Sequence, residues 1–390
     1  MSAACLVRAI LTCVENKLDR ELEKAQAALL PRFAPDTRVR RIRWSQVETQ
    51  LYQLGTGPPL LYVHGGLGGA YEMVPILAAL AEAHRVLAVD RPGHGLADPF
   101  DYRGVDLLDH GRTFLRDVVD GLELPTVDVV ANSLGAPLSV AFALDAPGRV
   151  SRLVLVGAPF GVTRRPPLMM LPLGLPLIGR RLGRHLFSNT TRNASRKFWG
   201  QVLVEHPGRI DDGLLDLDVA HSRRNVESML SLIACIADWR RPGYRRELIL
   251  GERWRALTMA TLLVWPEHDA LGSPAKGEAL VATNPNLRLV HLPGTDHLRG
   301  STTQTPSLSR SSASSRLSDG AAWTPLLSHD RLHATGRDSR ARPSLSFRAP
   351  TRACVAPSKA CPLRTISGSP AAGGEHSRIC LLKRQRTTLL

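Results

Sequence analysis

The sequence lacks most features that would assign it at a glance. Its six cysteines, Cys5, Cys13, Cys235, Cys354, Cys361 and Cys380, are scattered, with no metal-ligand spacing and no disulfide framework. No run is apolar and long enough to cross a bilayer: the stretch Leu168 to Ile178 is short and broken by prolines. The mildly apolar start, Met1 to Cys13, runs at once into Glu15-Asn16-Lys17-Leu18-Asp19-Arg20, so it offers no signal-peptide core or cleavage site. These absences lead us to expect a cytoplasmic chain with no transmembrane segment, in which the glycosylation-type triplets at Asn189 and Asn193 carry no meaning. An evenly spread basic charge is lacking too. Residues 299–390 hold 15 Lys and Arg against 4 Asp and Glu, and so supply +11 of the chain's net +15. The remainder is nearly balanced, which excludes a body built to bind nucleic acid specifically.

What is present is an alternation. Residues 1–31 have helical character, stopped by Pro31, and 38–54 suggest two extended segments. Short apolar strands then alternate with helices of ten or more residues: Pro58 to Val63, a helix from about Tyr71 to Ala83, His84 to Val89, a helix over 104–122, Thr126 to Val130, Ala136 to Leu144 and Arg152 to Val156. From about Gly161 to Ala256 the pattern is helical, proline-broken and rich in arginine. The alternation resumes with Thr261 to Trp265, a helix near 273–283 and a strand Leu287 to Leu292. This predicts an α/β fold: a mostly parallel central sheet flanked by helices, with a helical insertion. The expected organisation is an N-terminal helical segment (1–37), a core (38–161 and 257–298), an inserted cap (162–256) and a disordered basic tail (299–390).

The chemistry concentrates at strand ends. After the Thr126 strand comes Ala131-Asn132-Ser133-Leu134-Gly135, with small residues two before and two after the serine. A strand–turn–helix elbow that lifts a nucleophile clear of the sheet needs that spacing. Serine needs a base, and the base an orienting carboxylate. The strand ending at Trp265 leads into Pro266-Glu267-His268-Asp269, and the strand ending at Leu292 into Pro293-Gly294-Thr295-Asp296-His297. Ser133, Asp269 and His297 thus follow three strand ends, where the crevice of an open parallel sheet lies. A glycine-rich loop, His64-Gly65-Gly66-Leu67-Gly68-Gly69, follows a further strand.

On these residues, 38 to 298 resemble an α/β-hydrolase of the esterase-like group with a helical cap. The resemblance implies Ser133 as nucleophile, His297 as general base and then acid, Asp269 as its orienter, and the backbone N–H groups of Gly66 and Leu134 as the oxyanion hole. It implies no cofactor and no metal. It also casts Asp90 to Gly95 as a structural turn. By their positions, His64 and His94 are expected to be structural loop histidines rather than bases, and His268 and Asp296 solvated neighbours of the catalytic candidates. Glu267 competes with Asp269, but only Asp269 has the family's spacing. Two positions depart from the family pattern: Ala131 and Pro266 stand where glycine is usual.

The expected partner is a small-molecule acyl substrate, with oligomeric state open. Serine hydrolysis of a carboxylic ester is the leading expectation. Hydrolysis of a carbon–carbon bond in a vinylogous diketone acid of the meta-cleavage type is the alternative, with cap arginines (Arg164, Arg165, Arg180, Arg181, Arg184) as carboxylate clamps, though a solvated basic face is favoured for them. A non-catalytic binding module of the same fold is the third reading. The run Leu168 to Ile178 is expected to cover the pocket rather than to anchor in a membrane.

The tail supports two readings. One is a disordered basic segment that binds nucleic acid non-specifically. The other is translation out of frame after codon 298. If one base is restored there, the first two bases of the codons for Gly300 to Thr305 permit Trp-Ile-Asp-Asp-Pro-Asp, and an amphipathic helix beyond. Family members carry such a motif and such a closing helix after the histidine. Several Val and Leu side chains buried by that helix would contribute about 1.5–3 kcal/mol each. Restoring the base is therefore expected to give a better-folded and more active chain. An unambiguous genomic reading in the present frame, with truncation after Leu298 leaving stability and activity unchanged, would rule the frameshift out.

Overall fold

The computed structural model describes residues 3–292, apart from positions 46, 158–159, 165, 167, 203–205, 242 and 270. His297 and the expected tail lie outside the described residues. Helix α1 (Ala3–Phe33) precedes a hairpin of β1 (Arg38–Trp44) and β2 (Val47–Leu54). Next come β3 (Pro59–Val63), α2 (Val74–Leu80), β4 (Arg85–Val89), α3 (Leu107–Gly121), β5 (Val127–Asn132), α4 (Gly135–Asp145) and β6 (Val150–Val156). Four helices follow, α5 (Ile178–Ser188), α6 (Arg192–Val202), α7 (Asp212–Arg224) and α8 (Val226–Ile236), then a pair of two-residue strands, β7 (Ala237–Asp238) and β8 (Gly243–Tyr244). The last described elements are β9 (Ala260–Pro266), α9 (Pro274–Val281) and β10 (Leu287–Leu292).

Eight strands form one sheet in the order β1-β2-β4-β3-β5-β6-β9-β10. Pairings from β4 onward are parallel, and only β1–β2 and β2–β4 are antiparallel. The expected α/β class and mostly parallel sheet are what the structure shows. Strand β5 is buried along its whole length, as a sheet covered on both faces requires. Successive residues of β3 serve opposite layers. Leu61 and Val63 join the cluster containing α3 and α4, whereas Leu60 and Tyr62 join the one containing α1, α2 and α7. Helix α3 begins at Asp106, whose carboxylate accepts from the backbone N–H groups of Leu108 and Asp109. At the outer edge β1 exposes Arg38, Arg40, Arg41 and Arg43, charges that discourage pairing with another chain.

Three local expectations differ from the structure. Helix α1 passes through Pro31 and ends at Phe33. Its inner face explains why: Leu22, Leu29 and Leu30 are buried, and Arg32 and Asp19 pair with Asp211 and Arg224 of the α7 region. Packing against α7 outweighs one missing hydrogen bond in the last turn. The β7–β8 pair has no periodicity long enough to announce it. In the stretch 168–178, Leu168, Leu175, Leu177 and Ile178 are exposed rather than turned inward.

A tight joint lies where α4 leaves β5. A Cβ at Gly135 would collide with the carbonyl oxygen of Val63 and lie 2.7 Å from that of His64. Both are backbone atoms at the end of β3 and have no room to move. Gly135→Ala is therefore expected to lower stability by about 1–3 kcal/mol, read as a lower midpoint of urea unfolding; an unchanged midpoint would show that the joint can relax.

Candidate active site

Strands β3, β4, β5 and β9 end on the same side of the sheet, and the loops beyond them bring the candidate residues together. Ser133 occupies the turn between β5 and α4 with φ +49°, a left-handed conformation that is strained for any residue bearing a Cβ. Its backbone is fastened on both sides. The Ser133 N–H donates to the Val156 carbonyl at 3.2 Å, and its own carbonyl accepts from Ala136 at 3.0 Å and Phe160 at 3.2 Å. Ala131, two residues before, is fully buried in the strand, so its methyl group is accommodated where glycine was expected.

The glycine loop after β3 lies directly against this turn. A Cβ at Gly65 would lie 2.8 Å from Asn132 Oδ1 and 3.3 Å from Ser133 Cβ, and one at Gly66 would touch the Leu134 side chain at 4.0 Å. Gly66, Ser133 and Leu134 are thus gathered in one place. The loop is held from behind by Arg91, which is buried. Its Nη2 donates to the carbonyl of Gly65, and to that of Gly66 at 2.9 Å. The Gly65 carbonyl and the Gly66 N–H belong to one planar peptide and point in opposite directions. Anchoring the carbonyl on Arg91 therefore turns the Gly66 N–H to the other side.

Two histidines complete the brace. His64 Nε2 accepts the Arg91 N–H at 2.8 Å, leaving Nδ1 to donate to the Gly65 carbonyl at 3.1 Å. Burial, with the Arg91 charge second, holds His64 well below the usual histidine range. His221, from α7, reaches the same loop. Its Nδ1 accepts from the Gly95 N–H at 3.1 Å and faces the Asn225 amide nitrogen at 3.3 Å, so Nε2 carries the proton given to the Leu67 carbonyl at 2.9 Å. Burial pushes His221 down to about 3. Asp90 ties the neighbouring turns together, accepting from Ala70 N–H at 3.0 Å and Tyr52 O–H at 3.1 Å, and burial raises it to about 6. Deeper in, burial raises Glu72 to about 8, with the nearby Asp218 adding to the shift. Asp218 itself is raised to about 6 by burial, against hydrogen bonds from Ser195, Trp199 and Tyr71.

Asp269 follows β9, two strands along from β5. It is buried, and its Oδ1 accepts from Leu271 N–H at 2.8 Å, whereas its competitor Glu267 and its neighbour His268 are exposed. His297 and Asp296 lie outside the described residues. Arg164 pairs with Asp238, and Arg180 and Arg184 share Glu227 on the exposed outer side. Among the described residues no cluster of three or more His, Cys, Asp or Glu is arranged to hold a metal ion. Arg91 and His221 were not singled out by sequence. Arg91 looked like part of a turn, and nothing local marks His221 among helix residues.

A model of the Alpha/beta hydrolase family matches residues 60–306, more than half of the chain. The chain belongs to this family. Among its relatives is a 2-hydroxy-6-oxononadienedioate/2-hydroxy-6-oxononatrienedioate hydrolase of Pseudomonas putida, 29% identical over 266 residues that cover 66% of this chain and 88% of the relative. A hydrolase of the same description from Cupriavidus pinatubonensis is 29% identical over 245 residues, covering 62% and 78%. Among solved structures, a putative lipase from Acinetobacter baumannii superposes with a TM-score of 0.59 at 17% identity, covering 72% of this chain and 91% of that one. A 2-hydroxy-6-oxo-6-phenylhexa-2,4-dienoate hydrolase from Rhodococcus gives 0.55 at 17%, covering 69% and 94%. At such identities the structural neighbours speak for the alpha/beta hydrolase fold alone.

The His221 bridge requires a neutral ring, because a proton on Nδ1 would face two donors. The unfolded chain takes up that proton near pH 6.5, and the folded chain only near pH 3. The contribution of His221 is thus complete above pH 6.5 and declines as pH falls toward 3. Glu72, Asp90 and Asp218, raised in the fold, act the other way and lose stability as pH rises through about 8, 6 and 6. In His221→Gln the fall of unfolding free energy with decreasing pH is expected to be shallower by about 1.4 kcal/mol per pH unit across this window. Equal slopes in the two proteins would mean that His221 is charged in the fold.

Proposed function

We propose that this alpha/beta hydrolase family member is a serine hydrolase, with Ser133 as nucleophile, His297 as base and Asp269 as the carboxylate that orients it. The reading rests on one observation above the others: Ser133 sits in a left-handed turn against the loop that carries Gly66. In the proposed reaction Ser133 Oγ attacks a substrate carbonyl and passes its proton to His297. The N–H groups of Gly66 and Leu134 receive the oxyanion. Collapse of the intermediate expels the leaving group, which takes the proton from His297, and water then releases the acyl group by the same steps in reverse. In this reading Arg91 anchors the Gly65 and Gly66 carbonyls and His221 the Leu67 carbonyl, both acting on the loop rather than on the substrate. Residues 38–161 and 257–298 form the core in this reading, and 162–256 the cap over the crevice.

For the substrate we favour an activated carbon–carbon bond of the meta-cleavage type. The curated relatives that cover most of their own length against this chain are hydrolases of that description. In such a substrate the leaving carbon is stabilised as a conjugated enolate, which lets the same serine chemistry break a bond that is otherwise inert. Ester hydrolysis is the second reading, supported by the same elbow and loop, which place no demand on the leaving atom. Arg180 and Arg184 are poor clamps for a substrate carboxylate, since Glu227 already occupies both.

Ser133→Ala is expected to reduce turnover of the better substrate by about 10³-fold or more and to abolish labelling by a fluorophosphonate probe. A panel of vinylogous diketone acids beside p-nitrophenyl esters ranks the two substrate classes. Folded wild-type protein that takes up no probe and turns over neither class would leave only the non-catalytic binding reading.

A further inference from the structure

Helix α5 is inverted relative to an ordinary surface helix. Its inward strip is glycine: Gly179 and Gly183 are buried, and a Cβ at Gly183 would collide with Leu230 of α8. Four-residue spacing puts Ile178, Leu182 and Leu186 on one strip, and all three are exposed. The effect reaches beyond one helix. All seven large hydrophobic side chains that stand exposed among the described residues fall within residues 168–186 or at Trp239. Leu168 is 82% exposed, Leu177 78%, Ile178 65% and Trp239 52%. Leu177 adopts φ +62°, strained for a leucine, while its side chain points outward.

The segment that carries most of this patch is basic. Residues 159–204 contain eight Lys and Arg and no Asp or Glu. The Arg181 side chain forms no ion pair or hydrogen bond among the described residues, its backbone N–H donating to the Leu177 carbonyl at 3.0 Å. The Arg240 guanidinium lies 5.1 Å from the Trp239 ring centre. The Arg245 side chain donates only to the carbonyls of Ala237 and Ala234, at 3.2 and 3.3 Å, so its charge is not neutralised. A groove of about 590 Å³ opens beside the patch, walled by Leu173, Leu175, Leu177, Leu230 and Trp239; its charged lining is Arg103, Arg180 and Arg245 against Asp101 and Glu227, a net positive rim. None of the candidate catalytic residues lines it.

We propose that this face docks on an anionic lipid bilayer. The leucine strip and Trp239 enter the headgroup layer, the unpaired arginines meet lipid phosphates, and the groove accepts an acyl chain. Leucine and tryptophan on one side and arginine beside them is the composition of helices that lie in a membrane interface. A partner that were merely apolar would leave the arginine charges unpaired, and a merely acidic one would leave the leucines in water. No helix among the described residues is long and apolar enough to cross a membrane, so the contact is a surface one. The inference is independent of the proposed catalytic function.

Pelleting of the full-length protein with vesicles tests it, comparing equimolar phosphatidylglycerol and phosphatidylcholine with phosphatidylcholine alone. We expect stronger binding to the anionic vesicles, weakened by salt, with a blue shift of tryptophan fluorescence that is lost in Trp239→Phe. Leu177→Asp combined with Ile178→Asp, and separately Leu186→Asp, should each weaken binding about tenfold while circular dichroism stays unchanged. Arg181→Glu should remove part of the preference for anionic lipid. Binding that ignores the leucine substitutions would assign adsorption to the basic residues 299–390 and overturn the proposal. So would no binding to either vesicle, or a lipid-free dimer that the same substitutions dissociate.

Discussion

The close approach of Gly135 to the Val63 and His64 carbonyls is the constraint on which the site depends. It jams the β5–α4 turn against the end of β3, so the chain can pass from strand to helix only through a left-handed residue at 133. A serine in that conformation costs roughly 1–2 kcal/mol, and hydrogen bonds from Phe160 and Ala136 and to Val156 hold it there. The same approach sets the glycine loop beside the serine. Moving α4 outward to relieve Ser133 would separate Ser133 from Gly66, so backbone strain and site geometry are one constraint.

Behind the loop stands a buried charge. Removing a guanidinium from water costs several kcal/mol, and Nε of Arg91 has no partner among the described residues. The cost is offset by the carbonyls of Gly65 and Gly66, which would otherwise be buried without donors as strong as a cation. A neutral donor there would bind the carbonyls more weakly and let the peptide rotate. His221 adds the second support from a helix more than a hundred residues away, and thereby links the helical segment to the loop. Burial first, and the Arg91 charge after it, lower the affinity of His64, His94 and His221 for protons, which keeps the His64 and His221 rings neutral and able to accept as well as donate.

Much of this architecture was legible in the sequence. Short apolar strands between longer helical stretches are set by local periodicity, and every strand expected from Pro58 to Leu292 is present to within a few residues. The elbow was legible because its demand is steric and local, namely small residues at 131 and 135 around Ser133. Asp269 could be preferred to Glu267 by spacing, and the structure buries the first and exposes the second. Helix α1 runs two residues past Pro31, because contacts with α7 that no local pattern contains carry it there.

By itself the sequence determined the α/β alternation, the glycine loop and the serine between small residues, since each follows from periodicity or from crowding within a few residues. Only the tertiary structure decided what supports them. The hydrogen bond from His221 to Leu67 spans 154 residues and that from Arg91 to Gly65 spans 26, and neither residue carries a mark in its own neighbourhood. The outward turn of Ile178, Leu182 and Leu186 was likewise decided in three dimensions. Their spacing suits a buried strip as well as an exposed one, and the choice fell to Gly179 and Gly183, which let α5 lie closer on that side than leucine could.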